Sequence, residues 1–163
     1  VSIKFEVHGI PVAKGSRRAF VNKATGKAFT APSSDKEKPW QNTVAQCALV
    51  ARSQCGLIEP MRGPVRLALS FTFMRPKSHM GSGKNSNVVK ASHLSSWHTG
   101  KPDTDKLIRA ILDAMTGIIY ADDSQVAVVC ASKQWVTDGP GVTIEVGSPS
   151  ECWSNEVLGK VVV

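Results

Sequence analysis

The chain has 163 residues, 42% of them hydrophobic and 20% charged, and its 20 Lys and Arg against 13 Asp and Glu leave a formal net charge of +7. That length suits one domain around one core, and the composition is ordinary for a soluble globular protein; no run approaches the ~18 apolar residues of a transmembrane helix. The positive charge favours an anionic partner, with nucleic acid ahead of a membrane surface because no basic amphipathic helix is evident.

The opening residues VSIKFEVHG lack the layout of a signal peptide, so a cytoplasmic location is expected. Residues 3–10 alternate, with Ile3, Phe5 and Val7 on one side and Lys4, Glu6 and His8 on the other. This is the pattern of a half-buried strand, and Pro11 closes it. Lys14, Arg17 and Arg18 then surround Gly15, a group suited to phosphate contact or to a solvated loop. Residues 19–32 read as a hairpin in which Phe20 and Phe29 flank a turn with Asn22, Thr25 and Gly26. Lys23 and Lys27 at its tip serve solubility or touch DNA.

A helix is expected over 36–54, capped from residues 33–35, with Pro39 in its first turn. Trp40, Val44, Cys47, Ala48 and Ala51 form its apolar face, and Gly56 ends it. Residues 65–74 alternate Val65, Leu67, Leu69, Phe71 and Phe73 with smaller or polar residues, which predicts a strand with one core face. Residues 75–101 contain no acid and space Arg75, Lys77, Lys84, Lys90 and Lys101 with Gly and Ser. This stretch is expected to be a long structureless loop, a mobile arm that orders on DNA. Trp97 is expected to pack beneath it, with base stacking as the alternative.

Residues 101–126, KPDTDKLIRAILDAMTGIIYADDSQV, hold five of the 13 acids in a basic chain. Leu107, Ile108, Ile111, Leu112 and Met115 share one face at helical period, and Gly117 is placed to end that helix. Residues 125–136 carry apolar side chains on both faces, which predicts a central strand covered on each side. Residues 138–141 are a turn, and 142–147 return as an antiparallel partner of the strand before. The tail, 148–163, with Trp153, Val157 and Leu158, is too apolar to hang free and is expected to pack on the protein or on a second subunit. Cys47, Cys55, Cys130 and Cys152 show no CxxC spacing and read as buried free thiols. The scattered His8, His79, His93 and His98 are assigned no metal.

Two readings of the acidic cluster stand side by side. Carboxylates repel a phosphodiester unless they hold a hard cation such as Mg²⁺, which prefers oxygen ligands. The cation then polarises the phosphoryl oxygen and activates a water. Asp103 and Asp105 are placed to reach one ion from the helix start, and Asp122 or Asp123 to close the site after the chain returns. Arg109, four residues after Asp105, is placed to orient a carboxylate or to neutralise charge on the phosphate. In the bland reading Asp103 is an N-cap worth about 1 kcal/mol, Asp105 favours the helix dipole, Asp122 and Asp123 make a turn, and Arg109 pairs with Asp105 at the surface. That reading needs three separate coincidences.

The same 26 residues resemble the RusA family of Holliday junction resolvases, whose pattern runs Pro-Asp-x-Asp-Asn-Leu, then a helix with Lys and Asp, then Asp-Asp-x-Gln. Here it falls on Pro102, Asp103, Asp105, Leu107, Asp113, Asp122, Asp123 and Gln125. A weaker echo lies at GIPVAKGSRR, residues 9–18. The resemblance implies metal-binding carboxylates at Asp103, Asp105 and Asp123 and places the family's catalytic lysine at Arg109. Lys106 stands where the family has Asn. Arginine keeps the charge but is no proton donor at neutral pH.

The expected fold is therefore α/β or α+β: a single RusA-like domain over 1–163 with a mixed sheet and two main helices. The expected function is a Mg²⁺-dependent endodeoxyribonuclease, with Mn²⁺ as a substitute, that resolves four-way DNA junctions. Asp103, Asp105, Asp123 and Arg109 are its catalytic residues and Asp122 a further metal ligand. Lys14, Arg17, Arg18, Lys84, Lys90, Lys101 and Lys106 are expected on DNA. A homodimer, implied by the resemblance, matches the two-fold symmetry of a junction. The chain is expected to be bacterial or phage-encoded, with no membrane partner. The alternatives are a non-catalytic basic DNA-binding module and a glycosidase using paired carboxylates. The second explains neither the basic charge nor the shortage of aromatic residues.

Overall fold

Alternation in three stretches of the chain builds one sheet with one apolar face. The computed structural model describes residues 2–15, 18–21, 23–31 and 35–150, with the backbone alone considered at 18–20 and 28–31. Strand β1 (Ile3–His8), β4 (Val65–Met74), β5 (Val126–Val136) and β6 (Gly141–Gly147) form a four-stranded sheet in the order β1-β6-β4-β5. Only β4 and β5 run parallel; β1–β6 and β6–β4 are antiparallel. Between them in sequence, β2 (Arg18–Val21) and β3 (Ala28–Ala31) make a separate hairpin, as the turn residues predict, and its register sets Phe20 opposite Phe29. Helices α1 (Glu37–Gln54) and α2 (Thr104–Met115) pack on each other; α1 also meets β1, and α2 meets β5. The class is α+β.

The core collects the odd-numbered residues of the strands: Ile3 and Val7, Val65 to Phe73, with Val142, Ile144 and Val146 from the facing parity of β6. Trp40, Val44, Ala48 and Ala51 from α1 close over them, as do Leu107, Ile111 and Met115 from α2. Alanines at 110 and 114 let α2 approach closely. Gly141 permits another close approach, because a Cβ there would stand 2.3 Å from the Val7 carbonyl oxygen on β1.

Several expectations change. Strand β1 ends at His8, and Ile10 lies exposed beyond it. Helix α1 starts from Lys36, which makes no side-chain cap; of residues 33–35 only Asp35 lies among the described residues. Strand β5 is an edge strand, not a central one, and Val128 and Val129 are 41% exposed. Apolar patterning reports on side-chain burial and says nothing of how many strands flank a backbone. Nor does β6 pair with β5. The connection passes over the end of β4, where Arg75 N–H donates to Val136 O at 2.9 Å and Thr72 Oγ1 donates to Gly139 O and Gly141 O at 3.3 Å. On the second face of β4, Arg66 is buried and donates through its guanidinium to Glu145 at 2.9 Å and to Ser148 O at 2.9 Å.

The stretch 75–101 is not structureless. It carries three short 3₁₀ turns, Lys77–His79, Gly83–Asn85 and Ala91–His93, and a bridge of Met80 to Val89. Arg75 ties it down by donating to His93 O at 2.7 Å and Ser95 O at 2.8 Å. Trp97 is 52% exposed, so it does not pack beneath the loop; the buried residue there is its neighbour His98. Cys47, Cys55 and Cys130 are free, but Cys55 is exposed and the other two only half-buried. Cys152 and the apolar residues expected to dock the tail, Trp153, Val157 and Leu158, lie outside the described residues.

Candidate metal and nucleic-acid site

Helix α2 carries the first carboxylates. Asp103 occupies the N-cap position with extended backbone, yet its side chain makes no capping bond. It pairs instead with Lys106 at 3.1 Å. That ammonium, with Lys101 and Lys133 behind it, holds the Asp103 carboxyl below the usual carboxylate range. Asp105 sits exposed in the first turn, where an acid favours the positive end of the helix dipole. Arg109 is exposed one turn on and, among the described residues, forms no ion pair with Asp105, so the surface-pair reading of this arginine falls.

The second group follows the return from α2. Thr116 closes the helix and Gly117 turns the chain at φ +76, a left-handed backbone that glycine adopts without strain. Tyr120 then anchors the return: it is fully buried, and its hydroxyl donates to Leu112 O at 3.0 Å. Burial pushes the phenol well above its ordinary pKa, and the charges of Asp123 and Asp113 push it further. The group therefore stays protonated and serves as a donor. Asp122 caps the turn Asp123–Gln125. Its carboxylate accepts Ser124 N–H at 2.9 Å; the Ser124 hydroxyl first, and then this backbone bond, hold it below the usual carboxylate range. Gln125 accepts Asp122 N–H at 3.0 Å and donates to Met61 O at 3.0 Å and Gly63 O at 2.9 Å. Asp123 opens this turn with its side chain exposed.

Asp113 and Lys14 make an ion pair that joins the N-terminal segment to α2. Lys14 N–H also donates to Lys106 O at 3.0 Å, and Gly15 N–H to Glu37 at 2.9 Å. The segment 14–15 is thus built into the helix pair. The Lys14 ammonium, expected on DNA, faces Asp113 here.

Asp103, Asp105, Asp122 and Asp123 are exposed anionic oxygen donors, the chemistry a hard divalent cation prefers. In donor type they fit such an ion. Among the described residues, no three His, Cys, Asp or Glu side chains stand together in a metal-binding group. Asp103 is held by Lys106 and Asp122 by Ser124, so gathering these carboxylates around a cation requires those partners to give way.

Of the expected DNA contacts, Lys84 and Lys101 are exposed. Lys90 donates to Ser78 O at 2.9 Å, and Lys106 is shared with Asp103. Arg17 lies outside the described residues, and Arg18 opens β2 with only its backbone described. One cation escaped sequence reasoning. Lys133, on β5, donates to Gly100 O and Pro102 O at 2.7 Å each, immediately before Asp103. Within a strand read only by its apolar pattern, nothing local marks a lysine that reaches another segment.

A family model described as endodeoxyribonuclease RusA matches residues 9–147. The chain is also 31% identical over 144 residues to the uncharacterized protein YqaN of Bacillus subtilis (strain 168), covering 88% of this chain and 94% of that protein. No helix among the described residues is long and apolar enough to cross a membrane.

Proposed function

The chain belongs to the RusA endodeoxyribonuclease family, and from that premise we propose that it is a Mg²⁺-dependent endonuclease that resolves four-way DNA junctions. The observation that carries this reading is the exposed pair Asp103 and Asp105 at the start of α2, followed by Asp122 and Asp123 on the return. Asp103, Asp105 and Asp123 would hold the cation, with Asp122 as a further ligand and Mn²⁺ as a substitute. When bound, the cation supplies Lewis-acid stabilisation of the phosphoryl oxygen and a more acidic water.

The rest is the work of the chain's own groups. Arg109, unpaired with Asp105 and exposed on the same helix, serves as a fixed positive charge for the phosphate or a ligand carboxylate. It does not donate a proton. Lys101 and Lys106 flank Asp103, and Lys84 extends the basic surface; together they attract the backbone and offset the repulsion between carboxylates and phosphates. Arg17, Arg18 and Lys90 belong to the same proposed surface, and Lys14 joins it once a phosphate replaces Asp113. Two copies related by a two-fold axis would place two matched sites on a two-fold symmetric junction. A bacterial or phage origin and a cytoplasmic location accord with this role.

A titration of Mg²⁺ and Mn²⁺ with a labelled four-way junction and a matched linear duplex tests the proposal. Paired nicks in the junction that require the metal, with the duplex spared, are expected. Tight junction binding without cutting at any metal concentration would identify a DNA-binding module instead.

A further inference from the structure

Helix α2 alone does not deliver Asp103. The sheet pairs β5 only with β4, and residues 96–98 lie along the other edge of β5 as a minimal added strand. Trp135 N–H donates to Ser96 O at 2.6 Å, His98 N–H donates to Lys133 O at 3.0 Å, and Trp97 stands opposite Gln134. His98 is turned inward, 6% exposed, with its ring stacked on Trp135 at 3.9 Å and tilted against Phe73 at 4.7 Å between ring centres. Its Nδ1 accepts Gly100 N–H at 3.1 Å. Two carbonyls on either side of Lys101, Gly100 O and Pro102 O, both accept from Lys133 Nζ at 2.7 Å. A charged donor on a rigid strand thus grips the peptide units that lead straight into Asp103.

We propose that Lys133 is a positioning residue for the Asp103–Asp105 carboxylates: its ammonium, bonded to the Gly100 and Pro102 carbonyls, fixes the approach to α2. Charge-assisted bonds of this kind are stronger than neutral ones, and two from a single ammonium restrain both position and direction. The His98–Trp135 stack holds the upstream end of the same segment, so Lys133 sets the downstream end. A carboxylate presented by such a segment meets a cation with less ordering still to be done. This inference rests on the nuclease reading for its link to catalysis, but its structural and metal-binding arms do not.

The test compares Lys133→Met, Lys133→Arg and wild type as full chains, with thermal melts to establish folding. Hydrogen exchange across 99–103 should quicken roughly tenfold or more in Lys133→Met, the scale of one lost charged hydrogen bond, while β4 and β6 stay protected. Affinity for Mn²⁺, read from the free-ion resonance without DNA, should fall about tenfold, as for other groups that orient metal ligands. Junction binding without divalent metal should stay within about twofold, and Lys133→Arg should recover part of the metal affinity. If Lys133→Met does not fold, the Lys133→Arg and Lys133→Gln variants carry the same comparison. Unchanged exchange at 99–103 or unchanged Mn²⁺ affinity would overturn the proposal. A loss of metal-free junction binding would overturn it as well, by making Lys133 a DNA contact. Should wild type cut no junction under any condition, the nuclease reading fails while the exchange and Mn²⁺ measurements still decide the role of Lys133.

Discussion

Asp105 and Arg109 occupy successive turns of one exposed helix face and divide the proposed chemistry between them. Asp105→Asn is nearly isosteric and removes only the charge a cation needs. Single-turnover junction cleavage by this variant should drop roughly 10²-fold or more while metal-free binding persists. Arg109→Ala should lose a similar factor and Arg109→Lys should keep much of the rate; wild-type cleavage by Arg109→Ala would remove the residue from the mechanism. A third residue governs pH. Burial, and then the neighbouring Lys133 charge, hold the His98 imidazole below its ordinary value of about 6.5. Between that lowered folded value and 6.5 the unfolded chain binds more protons than the folded one. Stability from this group is therefore complete above about pH 6.5 and is lost as pH falls through the window beneath it. His79 is shifted in the same direction, chiefly by burial and then by His93, Arg75 and Lys90, and adds with the same sign. Denaturation midpoints between pH 8 and 5 should slope less in His98→Gln than in wild type, and equal slopes would acquit His98.

At the scale of elements, α2 and the turns around it decide where the carboxylates stand. The helix is held from inside by Leu107, Ile111 and Met115 and released at Gly117, whose φ of +76 lets the chain reverse toward Tyr120 and Asp122. Space is free around Gly117, so the penalty of a side chain there is conformational only. Gly117→Ala should cost about 1–2 kcal/mol by urea denaturation, the expense of a left-handed residue with a Cβ. A change below a few tenths of a kcal/mol would mean that the turn relaxes without strain. Tyr120 plays the complementary part from the other end of the turn. Its bond to Leu112 O ties the return segment to the last turn of α2, so the two acidic groups share one support.

For the whole molecule, the net charge of +7 is an electrostatic statement about partners, and exposed Lys84 and Lys101 stand where it can act. Log affinity for junction DNA should fall linearly with log salt, with a slope near −0.9 for each phosphate neutralised. Replacing both Lys84 and Lys101 with Ala should flatten that slope by roughly one to two units. An unchanged slope in competition binding would place these lysines away from DNA and leave Lys90, Lys106 and the 14–18 segment as the remaining contacts.

Local patterns in the sequence determined much of this protein. The 3.6-residue period of 107–115 specified α2 and its buried face, alternation specified β1 and β4, and the turn residues between Phe20 and Phe29 specified a hairpin. The Pro-Asp-x-Asp and Asp-Asp-x-Gln spacing specified the candidate carboxylates and the family. Each of these signals resides within about ten residues, where backbone geometry maps directly onto residue order. Only the tertiary structure decided the rest. It put β6 between β1 and β4, left β5 on the edge, committed Lys14 to Asp113, and set Lys133 under the peptides before Asp103. Those are bonds between segments some 30 to 140 residues apart in the chain. Strand order and side-chain partners at such separations depend on which distant surfaces close the core together, and no local period encodes that choice.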